Sequence, residues 1–180
     1  RPEFQFNLAL AVAIRRALRE RDCSVELIAA GGDVTDLRAR AALAGDAALF
    51  LSVHHDSVHA DLLEFWQYTA QSLRFNDHFG GFSLFVSRDN PDLAGSLSCA
   101  SEIGAALRRH RQTPSRYHAD PIVGEARAFL DEANGVHAYD RLVVLYTARQ
   151  KAVLLEAGVL INRAEELRLL KRTNREAIAE

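Results

Sequence analysis

Two short apolar runs in this sequence each end in side chains that could do chemistry. "LFLSV" leads into His54, His55 and Asp56, and "AVLL" leads into Glu156. A carboxylate that directly follows four apolar residues is costly to bury unless it is paired, bound to a metal or kept protonated. Histidine and carboxylate side chains also serve as the ligands and general bases of catalytic metal sites. The ends of these two runs are therefore the first candidates for a functional site.

The adjacent histidines are predicted to have different roles. Successive side chains on a strand point to opposite sides, so one metal ion would not take both His54 and His55, and Asp56 returns to the side of His54. A hydrogen-bonded structural histidine is the alternative for His54, as an ordinary edge carboxylate is for Glu156. The sequence has no HExxH pattern that would place two ligands on one helix face. The remaining histidines are scattered along the chain: His59, His78, His110, His118 and His137.

Glu3 is the third candidate residue. It lies at the start of the first predicted helix, where the helix dipole favours a carboxylate, and this alone explains its presence. A helix of a βαβ unit also begins near the carboxyl ends of the strands, so Glu3 could face the same crevice as His54. With one further ligand the two would form a catalytic zinc site that keeps a position open for water. Glu156 would then be the general base on that water.

The hydrophobic patterns in the first third of the chain predict an α/β fold. "EFQFNLALAVAIRRALRE", at residues 3–20, has helical periodicity, and "SVELIAA" reads as a short strand. "DLRARAALAG" follows as a helix, with Asp36 as the N-cap and Gly45 as the stop. "AALFLSV" is apolar on both faces, which is typical of the centre of a parallel sheet. Strand, helix and strand in this order predict a βαβ unit.

The rest of the chain continues the same alternation. "FSLFVS" and "KAVLLEAGVLIN" are predicted strands, "AGSLSCASEIGAALRRH" is a predicted helix, and residues 163–180 are predicted to form one or two helices. Residues 56–81 contain the single Trp and several other aromatic residues, and they are interpreted as an excursion from the core. The predicted fold is therefore a single α/β domain with a mostly parallel, twisted sheet flanked by helices on both faces.

Composition excludes several classes of protein. The 180 residues suit one domain, and 48% hydrophobic with 26% charged residues is ordinary for a globular protein. The formal net charge of −2 gives no general affinity for nucleic acid. No apolar run is long enough to span a membrane. Cys23 and Cys99 form neither a disulfide framework nor the spacing of a metal knuckle.

At the residues described above, the sequence resembles the zinc-dependent N-acetylmuramoyl-L-alanine amidases of the amidase-3 type, which are bacterial cell-wall hydrolases. The family strand "LFVSIHAN" is similar to "LFLSVHHDS", and "PAVLVExGFxSNxxE" is similar to "KAVLLEAGVLINRAEE". A glutamate that opens the first long helix matches "PEFQFNLALA", and "LxxRxxxAN" matches "LRARAALAG". The segment "HADPIVGEARAFLDEANGVHAYDRLVVL" looks like a subgroup of these amidases. Lys151, Gly45 and His55 depart from the family, which has Pro, Asn and a small residue there.

The resemblance implies roles for individual residues. Glu3 and His54 match two zinc ligands of the family, and Glu156 matches its catalytic glutamate. The family's third ligand, a histidine in a "GHGG"-like loop after the first strand, is expected upstream of Arg1 together with that strand. Residues 1–180 are then expected to form an N-terminally incomplete catalytic domain, and the excursion at about 56–81 is expected to border the substrate groove.

The implied function is cleavage of the amide between N-acetylmuramic acid and L-alanine of the stem peptide by zinc-activated water. The substrate would be peptidoglycan or a muropeptide, and the location the periplasm or the cell exterior. Whether a protein activator exists is left open. One alternative is a non-catalytic wall-binding or regulatory module that keeps the fold without zinc, and another is a zinc peptidase or deacylase that acts on a different small amide.

Overall fold

A five-stranded sheet with helices packed on both of its faces forms the centre of the protein. The structure is a computed structural model that describes residues 2–180, so that Arg1 lies outside it. The elements in chain order are α1 (Glu3–Arg19), α2 (Leu37–Leu43), β1 (Leu49–Asp56), β2 (Glu64–Tyr68), β3 (Gln71–Phe75), β4 (Ser83–Val86), α3 (Leu93–Arg109), β5 (Phe129–Asp131), β6 (Val136–Ala138), α4 (Val143–Tyr146), β7 (Lys151–Val159), α5 (Arg163–Leu169) and α6 (Arg172–Ala179).

The sheet has the strand order β1-β7-β4-β6-β5 and is mixed. β1 is parallel to β7 and β4 is parallel to β6, whereas β4 is antiparallel to β7 and β5 is antiparallel to β6. The predicted α/β class is confirmed, but the sheet is not mostly parallel. Part of the reason is the short turn from Asp131 to Val136, because a tight connection can join β5 and β6 only as an antiparallel pair.

The helices begin where the sequence predicts. Pro2 precedes α1, the carboxylate of Asp36 accepts from the backbone N–H groups of Arg38 and Ala39 at the start of α2, and Asp92 caps α3. Such caps satisfy amide groups that have no partner inside the helix. No helix in residues 2–180 combines the length and the apolar character that crossing a membrane requires.

Two apolar layers hold the sheet, one on each face. Val153 and Leu155 of β7 point into the layer formed with α1, α3, α5 and α6. Ala152 and Leu154 point into the opposite layer, formed with α2 and α4. Because side chains alternate along a strand, Glu156 continues the second series and lies on the same face of the sheet as α2 and α4.

Two expectations about the first third of the chain are wrong. Residues 24–30, predicted as a strand, form no strand, and the predicted βαβ unit is therefore absent from the described residues. β1 pairs with β7 alone, which places it at the edge of the five-stranded sheet rather than at its centre. An apolar run becomes a strand only where a neighbouring strand bonds its backbone groups, and no strand of residues 2–180 pairs with residues 24–30.

The aromatic segment forms a separate antiparallel hairpin of β2 and β3. Arg163, at the start of α5, lies over the rings of Trp66 and Phe75, at 4.9 and 3.8 Å from their centroids. Arg163 also forms an ion pair with Asp77. These contacts attach one face of the hairpin to the main domain, and Phe65 on its other face is 65% exposed.

Candidate catalytic site

The candidate residues on β1 and β7 are direct neighbours. His54 and Glu156 are register partners in the parallel pair, so their side chains stand on the same face of the sheet. They lie toward the carboxyl ends of their strands, the edge where open α/β sheets bind ligands. The two apolar runs therefore bring their polar residues together, as the sequence predicts.

Glu3 reaches this edge from the first turn of α1. Its Oε1 atom lies 3.0 Å from Nδ1 of His54, and Asn7 donates a hydrogen bond to the same oxygen over 2.8 Å. The bond with His54 is the main reason that the pKa of Glu3 is lowered to about 2, and Asn7 adds to this effect against the opposing effect of partial burial. The carboxylate of Glu3 is therefore ionised and held beside His54.

The Glu3–His54 pair fits two ligands of a zinc ion. Two ligand atoms at 2.0–2.1 Å from a tetrahedral zinc are separated by roughly 3.3 Å, which is close to the 3.0 Å between Oε1 and Nδ1. The side chains are 44% and 36% exposed, so a metal can reach them. Residues 2–180 contain no group of three His, Cys, Asp or Glu side chains placed to hold a metal ion. Glu3 and His54 are thus two suitable donors, and a complete zinc site would require at least one further ligand.

Glu156 is a partly buried residue whose carboxyl oxygen Oε2 is shielded from solvent and has unused hydrogen-bonding capacity. Its Oε2 atom has no hydrogen-bond partner among the described residues, and the same is true of Oγ of Ser83, its register neighbour on β4. Burial raises the pKa of Glu156 well above its ordinary value, and the negative charges of Asp56, Glu3 and Glu125 raise it further. A cation nearby would favour the ionised form. Such a group can hold a proton and release it when its surroundings change.

A second histidine–carboxylate group lies beside Glu156. Nε2 of His118 is 2.6 Å from Oδ2 of Asp56, and Nδ1 is 2.9 Å from Oε2 of Glu125. Burial lowers the pKa of His118, but the hydrogen bonds and charges of the two carboxylates outweigh burial, and the net shift is upward. No spacing or periodicity in the sequence predicts a role for His118 or Glu125. The only sequence signal for them is the similarity of "HADPIVGEAR" to a subgroup of amidases.

His55 lies on the opposite face of the strand, as the alternation along β1 predicts. Its side chain is buried against the ring of Phe6, at 5.5 Å between centroids, and its Nδ1 lies 2.7 Å from Oδ1 of Asn7. Burial lowers the pKa of His55 to about 4. Asn7 therefore connects His55 to Glu3. Sequence reasoning missed Asn7, although its position one helical turn after Glu3 was a usable signal.

Comparison with known proteins identifies the family of this chain. A model of the amidase-3 family, N-acetylmuramoyl-L-alanine amidase, matches residues 1–180. The chain belongs to this family. The catalysed reaction that follows from membership is that of a peptidoglycan amidase. No curated protein matches the chain.

Solved structures of amidases have the same fold. The N-acetylmuramyl-L-alanine amidase Ami1 of Mycobacterium smegmatis has a TM-score of 0.73 at 16% identity, over 99% of this chain and 72% of that one. The N-acetylmuramoyl-L-alanine amidase of Clostridium difficile 630 has a TM-score of 0.70 at 17% identity, over 99% and 78%. The catalytic domain of CwlV from Bacillus (Paenibacillus) polymyxa var. colistinus has a TM-score of 0.65 at 21% identity, over 99% of this chain and 79% of that one. At these identities the likeness concerns the fold alone.

Proposed function

We propose that this amidase cleaves the amide between N-acetylmuramic acid and L-alanine with Glu156 as the catalytic acid–base and with zinc held in part by Glu3 and His54. The observation that carries the proposal is the register of His54 with Glu156, beside a carboxylate 3.0 Å from the His54 ring. Three residues from three separate elements meet at one strand edge, and this supports a shared chemical task.

The proposed metal site uses the side chains that already converge. Glu3 provides a carboxylate oxygen and His54 a ring nitrogen, donors that zinc accepts. Bound zinc would lower the pKa of its water and polarise the substrate carbonyl. The third ligand is proposed to be the histidine that the family resemblance implies, outside residues 2–180. Asn7 and the backbone N–H of His55 both donate to Glu3 and keep its carboxylate oriented.

Glu156 is proposed to move the proton. Its carboxylate would take a proton from the attacking water and pass it to the alanine nitrogen as that amine leaves. The buried Oε2 atom has no hydrogen-bond partner in residues 2–180, so the proposed exchange would break no hydrogen bond to this atom. Burial and the three neighbouring carboxylates favour the protonated form, which suits the step in which Glu156 acts as an acid.

The substrate is proposed to be peptidoglycan or its muropeptides, met in the periplasm or outside the cell. The β2–β3 hairpin is proposed to border the groove that receives it. Arg163 attaches this hairpin to the segment that directly follows β7, and its exposed Phe65 and Tyr68 rings offer apolar surface to a large substrate. In this proposal, residues 1–180 belong to the catalytic domain.

The test is digestion of purified peptidoglycan, followed by mass spectrometry of the released stem peptides. The expected result is peptides with a new free amine on L-alanine, and a loss of about 10²–10⁴-fold in turnover for Glu156→Gln. Peptide bonds cut inside the stem would indicate a peptidase, and binding to the wall without turnover would indicate a non-catalytic module. Either result contradicts the proposal, as does full activity of Glu156→Gln.

A further inference from the structure

His118 has both of its ring nitrogens bonded to carboxylates. Asp56 lies 2.6 Å from Nε2 and Glu125 lies 2.9 Å from Nδ1, while Arg127 forms an ion pair with Glu125. The side chains of His118 and Asp56 are only 9% and 10% exposed. A neutral imidazole can donate one hydrogen bond, whereas an imidazolium donates two, so this arrangement is that of a charged ring between two acceptors.

The two carboxylates that bond His118 come from separate parts of the chain, the end of β1 and the stretch of residues 110–128. Asp56 ends β1 two residues after His54, where the register between β1 and β7 shifts. Its backbone oxygen accepts from Leu160, and its Oδ1 accepts from the N–H of Ser57. Glu125 belongs to the irregular stretch at residues 110–128. His118 therefore bonds this stretch to the end of β1, next to a second bond in which the N–H of His59 donates to the hydroxyl of Tyr117.

The position of the ring is fixed by packing as well as by hydrogen bonds. The edge of the His118 ring meets Phe85 of β4 at 4.9 Å between centroids, and Tyr117 lies at 5.1 Å. Ser83 of β4 is the register partner of Glu156, so the two side chains stand on the same face of the sheet. Phe85 lies two residues after Ser83 and therefore stands on that face too. His118 therefore lies over the sheet face that carries the proposed catalytic carboxyl.

We propose that His118 is a positioning residue for the hydrolysis, which fixes the carboxylates of Asp56 and Glu125 beside Glu156 and locks residues 110–128 against the end of β1. The inference rests on the proposed function of Glu156. It adds a residue that touches neither the substrate nor the metal and acts through the groups that it holds.

Because both ring nitrogens of His118 are already hydrogen-bonded, a positioning role can be distinguished from metal binding and from substrate binding. A metal ligand needs a free ring nitrogen, and so does a residue that hydrogen-bonds the substrate, but Asp56 and Glu125 occupy both nitrogens of His118. Without the ring, two carboxylates would face each other near Glu156 without a cation between them, and like charges repel. The Asp56 side chain would turn toward water, and the end of β1 would keep its backbone bond from Leu160 but lose its contact with His118.

The test compares two substitutions that each keep one of the two hydrogen bonds. In His118→Gln the amide nitrogen takes the place of Nε2 and retains Asp56, whereas in His118→Asn it takes the place of Nδ1 and retains only Glu125. We expect kcat on a soluble muropeptide to fall about 10²-fold in His118→Asn and by less in His118→Gln, because misplacement of about 1 Å costs that much. KM should change by less than about 3-fold, since the ring has no contact left for substrate.

His110→Gln is the matched control, because His110 is a partly exposed histidine at the end of α3 whose ring faces Glu180. It should retain the wild-type kcat and KM. If His118→Asn does not fold, as judged by circular dichroism, the comparison passes to His118→Gln and Glu125→Gln. Nitrogen-15 NMR of the wild-type histidine rings gives a readout that is independent of turnover. The expected spectrum has both His118 ring nitrogens protonated at neutral pH.

The outcomes separate this inference from the proposed function. A wild type without turnover, or an active Glu156→Gln, contradicts the proposed function itself. With an active wild type and an inactive Glu156→Gln, an unchanged kcat in the His118 variants overturns the inference alone. A raised KM at constant kcat also overturns it, because that pattern belongs to a residue that binds substrate. A singly protonated His118 ring would contradict the double hydrogen bond on which the inference stands.

Discussion

The Glu3–His54 and Asp56–His118 pairs each join a carboxylate to a histidine near the same carboxyl group, that of Glu156. The side chains of Glu3 and His54 are 44% and 36% exposed, whereas those of Asp56 and His118 are 10% and 9% exposed. Within residues 2–180, the His54 ring is bonded through Nδ1 alone, while the His118 ring is bonded through both nitrogens. One pair is open to a further ligand and the other is closed.

This difference suggests that two properties decide the role of a histidine–carboxylate pair: how exposed its side chains are, and whether both ring nitrogens of the histidine are already hydrogen-bonded. The identity of the two side chains matters less. An open pair contributes little to stability, about 0–1 kcal/mol, because water screens it. A closed pair is costly to break, at about 3–5 kcal/mol, because one partner is left as an uncompensated buried charge. We therefore expect substitutions in the open pair to remove metal and activity, and substitutions in the closed pair to lower stability and kcat without removing the metal.

The largest effect is expected for His54→Ala, which breaks the open pair. Loss of a proposed zinc ligand should lower turnover of peptidoglycan by at least about 10³-fold, because the activated water is lost with the metal. The free energy of unfolding should change by less than about 1 kcal/mol. His59→Ala is the control, since the His59 side chain is 67% exposed and pairs only with Asp61. Equal activity in the two variants would contradict the role of His54.

Asp56→Ala breaks the closed pair and should have the opposite signature. Removal of one partner leaves the buried His118 imidazolium with a single carboxylate, so we expect a loss of about 3 kcal/mol in the free energy of unfolding. Urea unfolding followed by circular dichroism measures this loss. If Asp56→Ala proves no less stable than His54→Ala, the distinction between a closed and an open pair is wrong.

Much of the open pair was predictable from the sequence, and almost nothing of the closed pair was. His54 and Glu156 follow apolar runs, and each lies in the second half of a strand that such a run begins. Glu3 begins a strongly periodic helix, so its place at the same edge also followed. His118 meets Asp56 across 62 positions of chain, from a stretch without periodicity, and local pattern carries no information about such a contact.

The errors in the fold have a similar cause. The cap of α2 is a local signal, and it was predicted correctly from Asp36. The state of residues 24–30 and the edge position of β1 depend on which strands become neighbours. The antiparallel pairing of β4 with β7 likewise depends on the path of residues 87–150, which connect the two strands, and local propensity does not encode that path.

His137 offers a third case, a buried histidine with no carboxylate bonded to its ring among residues 2–180. Burial lowers its pKa to about 4, with the His118 charge adding to the shift. Between about pH 6.5 and 4 the unfolded chain therefore binds more protons than the folded chain, so the free energy of unfolding should fall as pH decreases. His137→Leu should reduce this pH dependence by about 1 kcal/mol per pH unit. Parallel slopes for the two proteins in urea unfolding across this range would refute the assignment.

The smallest effect is expected at the hairpin, which lies outside both pairs. Phe65→Ser removes an exposed ring from the face that Arg163 does not cover, so the proposed groove loses apolar surface while the two pairs stay intact. We expect KM for polymeric peptidoglycan to rise about 3-fold with kcat unchanged, which corresponds to the modest value of one exposed aromatic contact. Ile122→Ser, at another exposed apolar residue, is the control. An identical KM in the two variants would contradict the proposal that the hairpin borders the substrate groove.

The most direct test of the account is the zinc affinity of the wild type, Glu3→Gln and Asp56→Asn, measured by competition with a chelator and checked by elemental analysis. The account predicts one zinc per chain in the wild type, a loss of at least about 10-fold in affinity for Glu3→Gln, and a change of less than about 3-fold for Asp56→Asn. A wild type that binds no zinc, or equal losses in the two variants, would contradict the division of the site into a pair that binds metal and a pair that holds position.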